Sequence, residues 1–138
     1  MRVSQRLDYA LRAVVEIARS RDGSPVPAGA IAERLGLPRR FVEQQVSALA
    51  RRDIVACQRG AKGGCGLARR ASEITIGDVV RAIEGEVLDV PVSDGSAVGD
   101  AWVSLAGRWY EVLEEVTLDE LAHAQDELER RSSATYYI

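Results

Sequence analysis

Apolar residues recur at helical spacing along most of the chain. Leu7, Ala10, Leu11, Val14, Val15 and Ala18 form one stripe, which predicts an amphipathic helix over about 4–20 with Ser4 as its N-cap. Asp22-Gly23-Ser24-Pro25 breaks the pattern as a loop. A shorter stripe, Ala28, Ile31, Ala32 and Leu35, predicts a second helix over about 27–35, with Pro27 tolerated in its first turn. Gly36 ends it, and Pro38 opens a third helix over about 38–52 that buries Phe41, Val42, Val46 and Leu49.

The pattern then changes. Residues 54–58 and 65–68 are short strand candidates around Arg59-Gly60-Ala61-Lys62-Gly63-Gly64, a glycine-rich hairpin tip. Thr75 and Asp78 make a capping box for a helix carried on Ile76, Val79, Val80 and Ile83. Periodicity lapses over 85–97, read as a linker. It returns most clearly over 98–116, through Trp102, Leu105, Ala106, Trp109, Val112, Leu113 and Val116. Thr117 and Glu120 cap a last helix to about 131, with Leu118, Leu121, Ala122 and Leu128 inward. A frayed tail, 132–138, is expected.

This layout predicts a mainly α chain with one small β-hairpin. Residues 1–84 form a winged helix-turn-helix, 85–97 a linker and 98–131 the dimerisation helices, the first of them long. The third helix carries Arg39, Arg40, Glu43, Gln44, Ser47 and Arg51 on its polar face, where side chains of a major-groove helix reach bases and phosphates. Arginine suits phosphate or guanine, Gln44 suits adenine, and Glu43 either accepts from a cytosine amine or repels phosphate and so sharpens selection. Glycines let the hairpin turn sharply and approach a sugar-phosphate backbone closely. Arg59, Gly60 and Lys62 would then form a positive tip for the adjacent minor groove. The expected partner is double-stranded DNA.

Charge sharpens this reading. The 138 residues carry a formal net charge of −3. Residues 1–82 nevertheless hold fifteen of the eighteen basic residues against eight acids, while 83–138 hold three against thirteen. Such asymmetry suggests two parts with different partners, only one of them suited to a polyanion. The stripe of Trp102, Leu105, Trp109, Val112, Leu113 and Val116 needs a cover, and a homodimer is the expected one, since winged helices commonly read palindromes as pairs.

Other functions find less support. No nucleophile–base pairing, metal spacing or phosphate loop points to an enzyme, and the one histidine, His123, has no second imidazole beside it. No apolar run is long enough for a membrane span, and the N-terminus leads into no secretory signal, so the cytoplasm is the expected compartment. A helical protein-interaction adaptor that has lost DNA binding is the competing reading, against which the basic wing argues. Trp102, Trp109 and Tyr110 are candidates for lining a small-molecule effector pocket, core or interface packing being the plainer alternative. Cys57 and Cys65 flank the hairpin symmetrically about Ala61. If the strands pair that way, the two face each other as a candidate redox switch of the wing; otherwise they are two reduced strand residues.

Four stretches carry a family resemblance: Leu7-Asp8-Tyr9-Ala10-Leu11-Arg12-Ala13, Ile31 to Gln44, Arg59 to Gly64, and Ile74 to Gly85. Together they resemble the Rrf2 family of winged-helix transcriptional regulators, of the IscR, NsrR and CymR kind. The resemblance implies a homodimeric repressor or activator with a long dimerisation helix. It implies DNA contacts at Glu43-Gln44 and Arg59, with Arg39 and Arg40 just before that pair. Sensing members hold an iron–sulfur cluster on three cysteines ahead of the long helix. Here residues 86–102 contain neither Cys nor His, so no cluster and no other cofactor is expected and the signal is unknown. Asp8 matches a carboxylate cluster ligand of some members and is expected to be a surface or capping acid instead. The wing continues Gly64-Cys65 where the family usually has Gly-Gly-Tyr.

Overall fold

The computed structural model of the chain describes residues 2–85 and 89–136. The helices are α1 (Gln5–Ala18), α2 (Ala28–Leu35), α3 (Arg39–Ala50), α4 (Ile76–Glu84), α5 (Ala97–Glu115) and α6 (Leu118–Tyr136). Between α3 and α4, β1 (Val55–Gln58) and β2 (Gly64–Leu67) pair antiparallel, and a 3-10 turn follows at Ala71–Glu73. Among the described residues, no helix is long and apolar enough to cross a membrane.

Local chemistry sets the boundaries. Ser4 caps α1 by accepting from the Leu7 amide at 3.0 Å. Gly36, at φ 65°, ends α2 in the left-handed region, and the Leu37 amide reaches back to the Ala32 carbonyl. That compact turn lets α3 start at once. Thr75 with Asp78 caps α4 reciprocally, and Thr117 with Glu120 does the same for α6. The two caps lie side by side: the Ile76 amide donates to Val116 and the Leu118 amide to Ile74, at 2.9 and 2.8 Å.

One core joins all these pieces. Val14, Ile31, Val42, Leu49, Ile54, Ile74, Val79 and Leu118 are almost wholly shielded. Leu118 and Ala122 of α6 therefore belong to the core of the winged domain, α6 packing back against α1. Two expectations are corrected here. Leu128 is 59% exposed rather than inward, because it lies beyond the stretch of α6 that contributes to this core. Residues 132–136 are helical rather than a frayed tail; Arg130 and Arg131 pair with Glu127, and the Thr135 hydroxyl donates to the Arg131 carbonyl. Residues 137 and 138, and 86–88 of the linker, lie outside the described residues.

The α5 stripe divides in two. Ala106 is buried and Trp109 and Leu113 half-buried, whereas Trp102, Leu105 and Val112 are 48%, 55% and 53% exposed.

Candidate nucleic-acid interface

The polar face of α3 stands as the periodicity required. Arg39, Arg40, Glu43, Gln44, Ser47 and Arg51 are all exposed, while Val42, Val46 and Leu49 anchor the opposite face in the core. Phe41 is held from α1 by an edge-on contact with Tyr9, ring centroids 5.7 Å apart. Pro38 precedes α3 without a side-chain cap and no acid sits in the first turn, so the positive end of the helix stays uncompensated, a polarity that suits phosphate.

The wing lies beside this helix because β2 is fixed to the body. Cys65 exchanges both its backbone hydrogen bonds with Val26, each 2.8 Å long. Gly64 makes that approach feasible: a Cβ there would lie 2.8 Å from the Val26 carbonyl carbon. At Gly63 a Cβ would collide with the Gln58 carbonyl oxygen, so the tip turns only with glycine.

A cleft of about 410 Å³ runs between helix and wing, lined by Arg39, Glu43 and Ser47 on one side and Gln58, Arg59 and Gly60 on the other. Sequence spacing placed these groups on two separate elements; the fold brings them to one concavity. Arg40 and Gln44 on α3 and Arg51 just after it are exposed outside that lining, and Lys62 is exposed at the wing tip. Sequence reasoning missed Gln58, for which the one signal was its place as the strand residue before Arg59. Arg39 is turned toward Glu43, with which it pairs at 3.0 Å. Both side chains are largely exposed, so this pair is weak and readily exchanged for another anion.

Many of the other arginines are occupied within the chain. Arg19, only 10% exposed, meets Glu16 at 3.0 Å, Asp126 at 2.7 Å and Glu129. Its hydrogen bond to Glu129 leads in holding the guanidinium charged, pushing its pKa upward, and the bonds to Asp126 and Glu16 add to this against partial desolvation. Arg21 pairs with Asp119 and Asp126, Arg81 with Asp78 and Glu114, Arg34 with Glu16, and Arg6 with Glu84. The acidic C-terminal part is therefore not simply a separate part with its own partner, as the charge count suggested: Glu84, Glu114, Asp119, Asp126 and Glu129, five of its thirteen acids, pair with arginines of the basic part. Among the described residues, Arg40, Arg51, Arg52, Arg59 and Lys62 have no ion pair, and they lie on α3, just after it, or on the wing. Arg2, Arg70 and Arg108, also without one, are scattered along the chain.

The remaining candidates fall elsewhere. Asp8 pairs with Arg12 at 2.9 Å on the α1 surface. His123 is exposed and lies beside Arg21 and Asp119. Of the three aromatic pocket candidates, Trp109 lines a cavity of about 280 Å³ with Leu7, Leu11, Ile76, Val80 and Leu113. Cys57 and Cys65 are directly opposed across the wing and joined as a disulfide.

A family model described as "Rrf2: Iron-dependent Transcriptional regulator" matches residues 3–124. The chain is 32% identical over 128 residues to the HTH-type transcriptional regulator CymR of Bacillus subtilis, spanning 91% of this chain and 93% of CymR. It is 32% identical over 137 residues to the HTH-type transcriptional regulator IscR of Pectobacterium carotovorum, spanning 94% and 84%. The solved structure of CymR, the global cysteine regulator of B. subtilis, matches with a TM-score of 0.79 at 30% identity, covering 90% of this chain and 98% of that one. These relatives are regulators, not enzymes. The family description invokes iron, and the donors here do not fit an iron–sulfur cluster. The chain has two cysteines, both in the wing and bonded to each other, and none between 86 and 102.

Proposed function

The chain belongs to the Rrf2 family of DNA-binding transcriptional regulators, and from that premise we propose that it acts in the cytoplasm as a homodimer reading a palindromic operator. The observation that carries the proposal is the distribution of unpaired cations: five of the eight among the described residues, Arg40, Arg51, Arg52, Arg59 and Lys62, lie on α3, just after it or on the wing, and α3 and the wing together line one cleft. In this reading Gln44, Ser47 and Arg51 enter the major groove with Glu43 selecting among bases, Arg40 meets a phosphate at the groove edge, and Arg59, Gly60 and Lys62 lie along the neighbouring backbone or minor groove. Arg39 leaves Glu43 for phosphate when DNA binds.

The dimer is supported by α5. Val98, Trp102, Leu105, Trp109, Val112 and Val116 follow each other at alternating steps of four and three residues, the seam spacing of paired helices. Four of them, Val98, Trp102, Leu105 and Val112, are among the most exposed large apolar side chains of the molecule, and a second α5 covers them. Two copies then present two α3 helices to successive half-sites.

Selection from a random duplex pool with the purified protein, together with its sedimentation mass, tests this. The expected result is a two-fold symmetric consensus bound by a dimer. A monomer in solution, or a consensus lacking symmetry, contradicts it.

A further inference from the structure

The wing carries two cysteines that the DNA-binding reading does not use. Cys57 on β1 is exposed and Cys65 on β2 is buried. They are register partners with Cα atoms 4.1 Å apart and are joined as a disulfide. The hydrogen bonding explains why they meet. The Cys65 amide and carbonyl both point to Val26, hence away from β1. Cys57 and Cys65 therefore form a non-hydrogen-bonded pair, the kind in which opposed side chains come closest. No ladder bond has to be given up for the disulfide to form, and the register survives when it opens.

The two strands are held very differently. β2 is clamped to the body through Val26 and by the close approach of Gly64 to residues 25–27. β1 is the outer strand, with Ala56, Cys57 and Gln58 exposed, and it carries Arg59 at its end. A ribbon of two four-residue strands is marginal by itself. Val55 anchors the start of β1 in the core, and the disulfide fastens its exposed outer half to the fixed strand at the base of the tip that would lie on DNA. Both sulfur-bearing residues also line the cleft shared with Arg39, Ser47 and Arg59.

Resting on the DNA-binding reading, we propose that Cys57 and Cys65 form a reversible thiol–disulfide switch that stiffens the wing when oxidised and so tightens operator binding. The oxidant is a peroxide. The exposed Cys57 thiolate attacks one peroxide oxygen, the O–O bond breaks, and the leaving hydroxide is protonated to water. Cys57 is then a sulfenic acid. The Cys65 thiolate attacks its sulfur, the S–O bond breaks, and the second hydroxide leaves as water. Two electrons pass from the sulfur pair to the peroxide, and the two thiol protons end in the two waters. A dithiol reverses the step by attacking the exposed Cys57 sulfur, releasing Cys65 as thiol, and then resolving the mixed disulfide with its own second sulfur. The ordering that the disulfide completes in advance is ordering the reduced wing has to undergo on DNA, which predicts about tenfold tighter binding in the oxidised state.

The test uses the full chain and its selected duplex. Protein reduced with dithiothreitol and protein oxidised with hydrogen peroxide are compared for duplex affinity, with alkylation and mass measurement counting free thiols in each sample. The expected result is two alkylatable thiols when reduced, none when oxidised, and about tenfold tighter binding by the oxidised form. Cys57→Ser, a change at an exposed site, is expected to bind like reduced wild type under both treatments, and Cys65→Ala to do the same. Two thiols still free after peroxide overturn the proposal by removing its chemistry. A disulfide that forms while affinity stays level or falls overturns it by removing its effect. Failure of both redox forms to bind any duplex defeats the DNA reading itself, a result distinguishable from the other two because it does not depend on the thiol count.

Discussion

Two surfaces of this molecule treat the same side chain in opposite ways. On the α1–α6 side, Arg19 and Arg21 are enclosed by Glu16, Asp119, Asp126 and Glu129. On the α3–wing side, Arg40, Arg51, Arg59 and Lys62 meet no acid among the described residues. The first surface is electrostatically complete and contributes to folding. The second is left open to an external anion. A net charge of −3 thus says little about polyanion binding; which arginines are already paired says much more. The outer stripe of α5 is an apolar counterpart of the open surface, while Ala106 is buried against the body and Trp109 and Leu113, half-buried, lie between the two.

Substitutions on each surface should separate these roles. The largest effect is expected at α5. Replacing Trp102 and Leu105 together by Asp puts charge into the proposed seam and should cost about 4 kcal/mol of association or more, turning the dimer to monomer by sedimentation while the helical circular dichroism of the winged domain persists. Next comes the open cationic face. Arg40→Ala with Arg59→Ala should weaken operator binding by about 100-fold, or roughly 3 kcal/mol, with no fall in thermal midpoint, since neither side chain supports the core. Smaller still, Arg19→Met should cost about 2 kcal/mol of stability in denaturant titration by leaving the shielded Glu16 short of a partner, with operator affinity of the folded protein unchanged.

The smallest expected effect is on acid stability. Asp126 and Glu129 are held below their ordinary values of 3.8 and 4.5, chiefly by hydrogen bonds from Arg19. A carboxyl depressed in the folded state stabilises it fully above the unfolded value and loses that contribution as pH falls through the folded one. Stability from this cluster is therefore complete above about pH 5 and drains below about pH 4.5. Because both carboxylates are near solvent, the loss is modest. Urea midpoints measured from pH 6 to pH 3 should fall less steeply in Arg19→Met than in wild type.

Local features of the fold were legible in the sequence. Gly36 marks the turn between α2 and α3, and the 3.6-residue period assigns each α3 residue to core or solvent. The symmetric placement of Cys57 and Cys65 about Ala61 anticipates the register of the wing. What was not legible is long-range. Nothing in the local pattern says that Arg19 meets Asp126 and Glu129 more than a hundred residues later. The last helix looked like part of a separate dimerisation unit, yet Leu118 and Ala122 complete the core of the winged domain. The division of the α5 stripe between Trp109 and Leu113, half-buried, and Trp102 and Leu105, exposed, also depends on where α4 lies.

The most direct test of the central claim is the salt dependence of operator affinity for wild type and for two double variants, one on each surface. Removing one cation that touches a phosphate should flatten the slope of log K against log salt by about one. Arg40→Ala with Arg59→Ala should flatten it by about two, while Arg19→Met with Arg21→Met, assayed where the protein remains folded, should leave it at the wild-type value. A slope flattened equally by both variants, or by the second alone, would contradict the assignment of the α3–wing face as the surface that meets DNA.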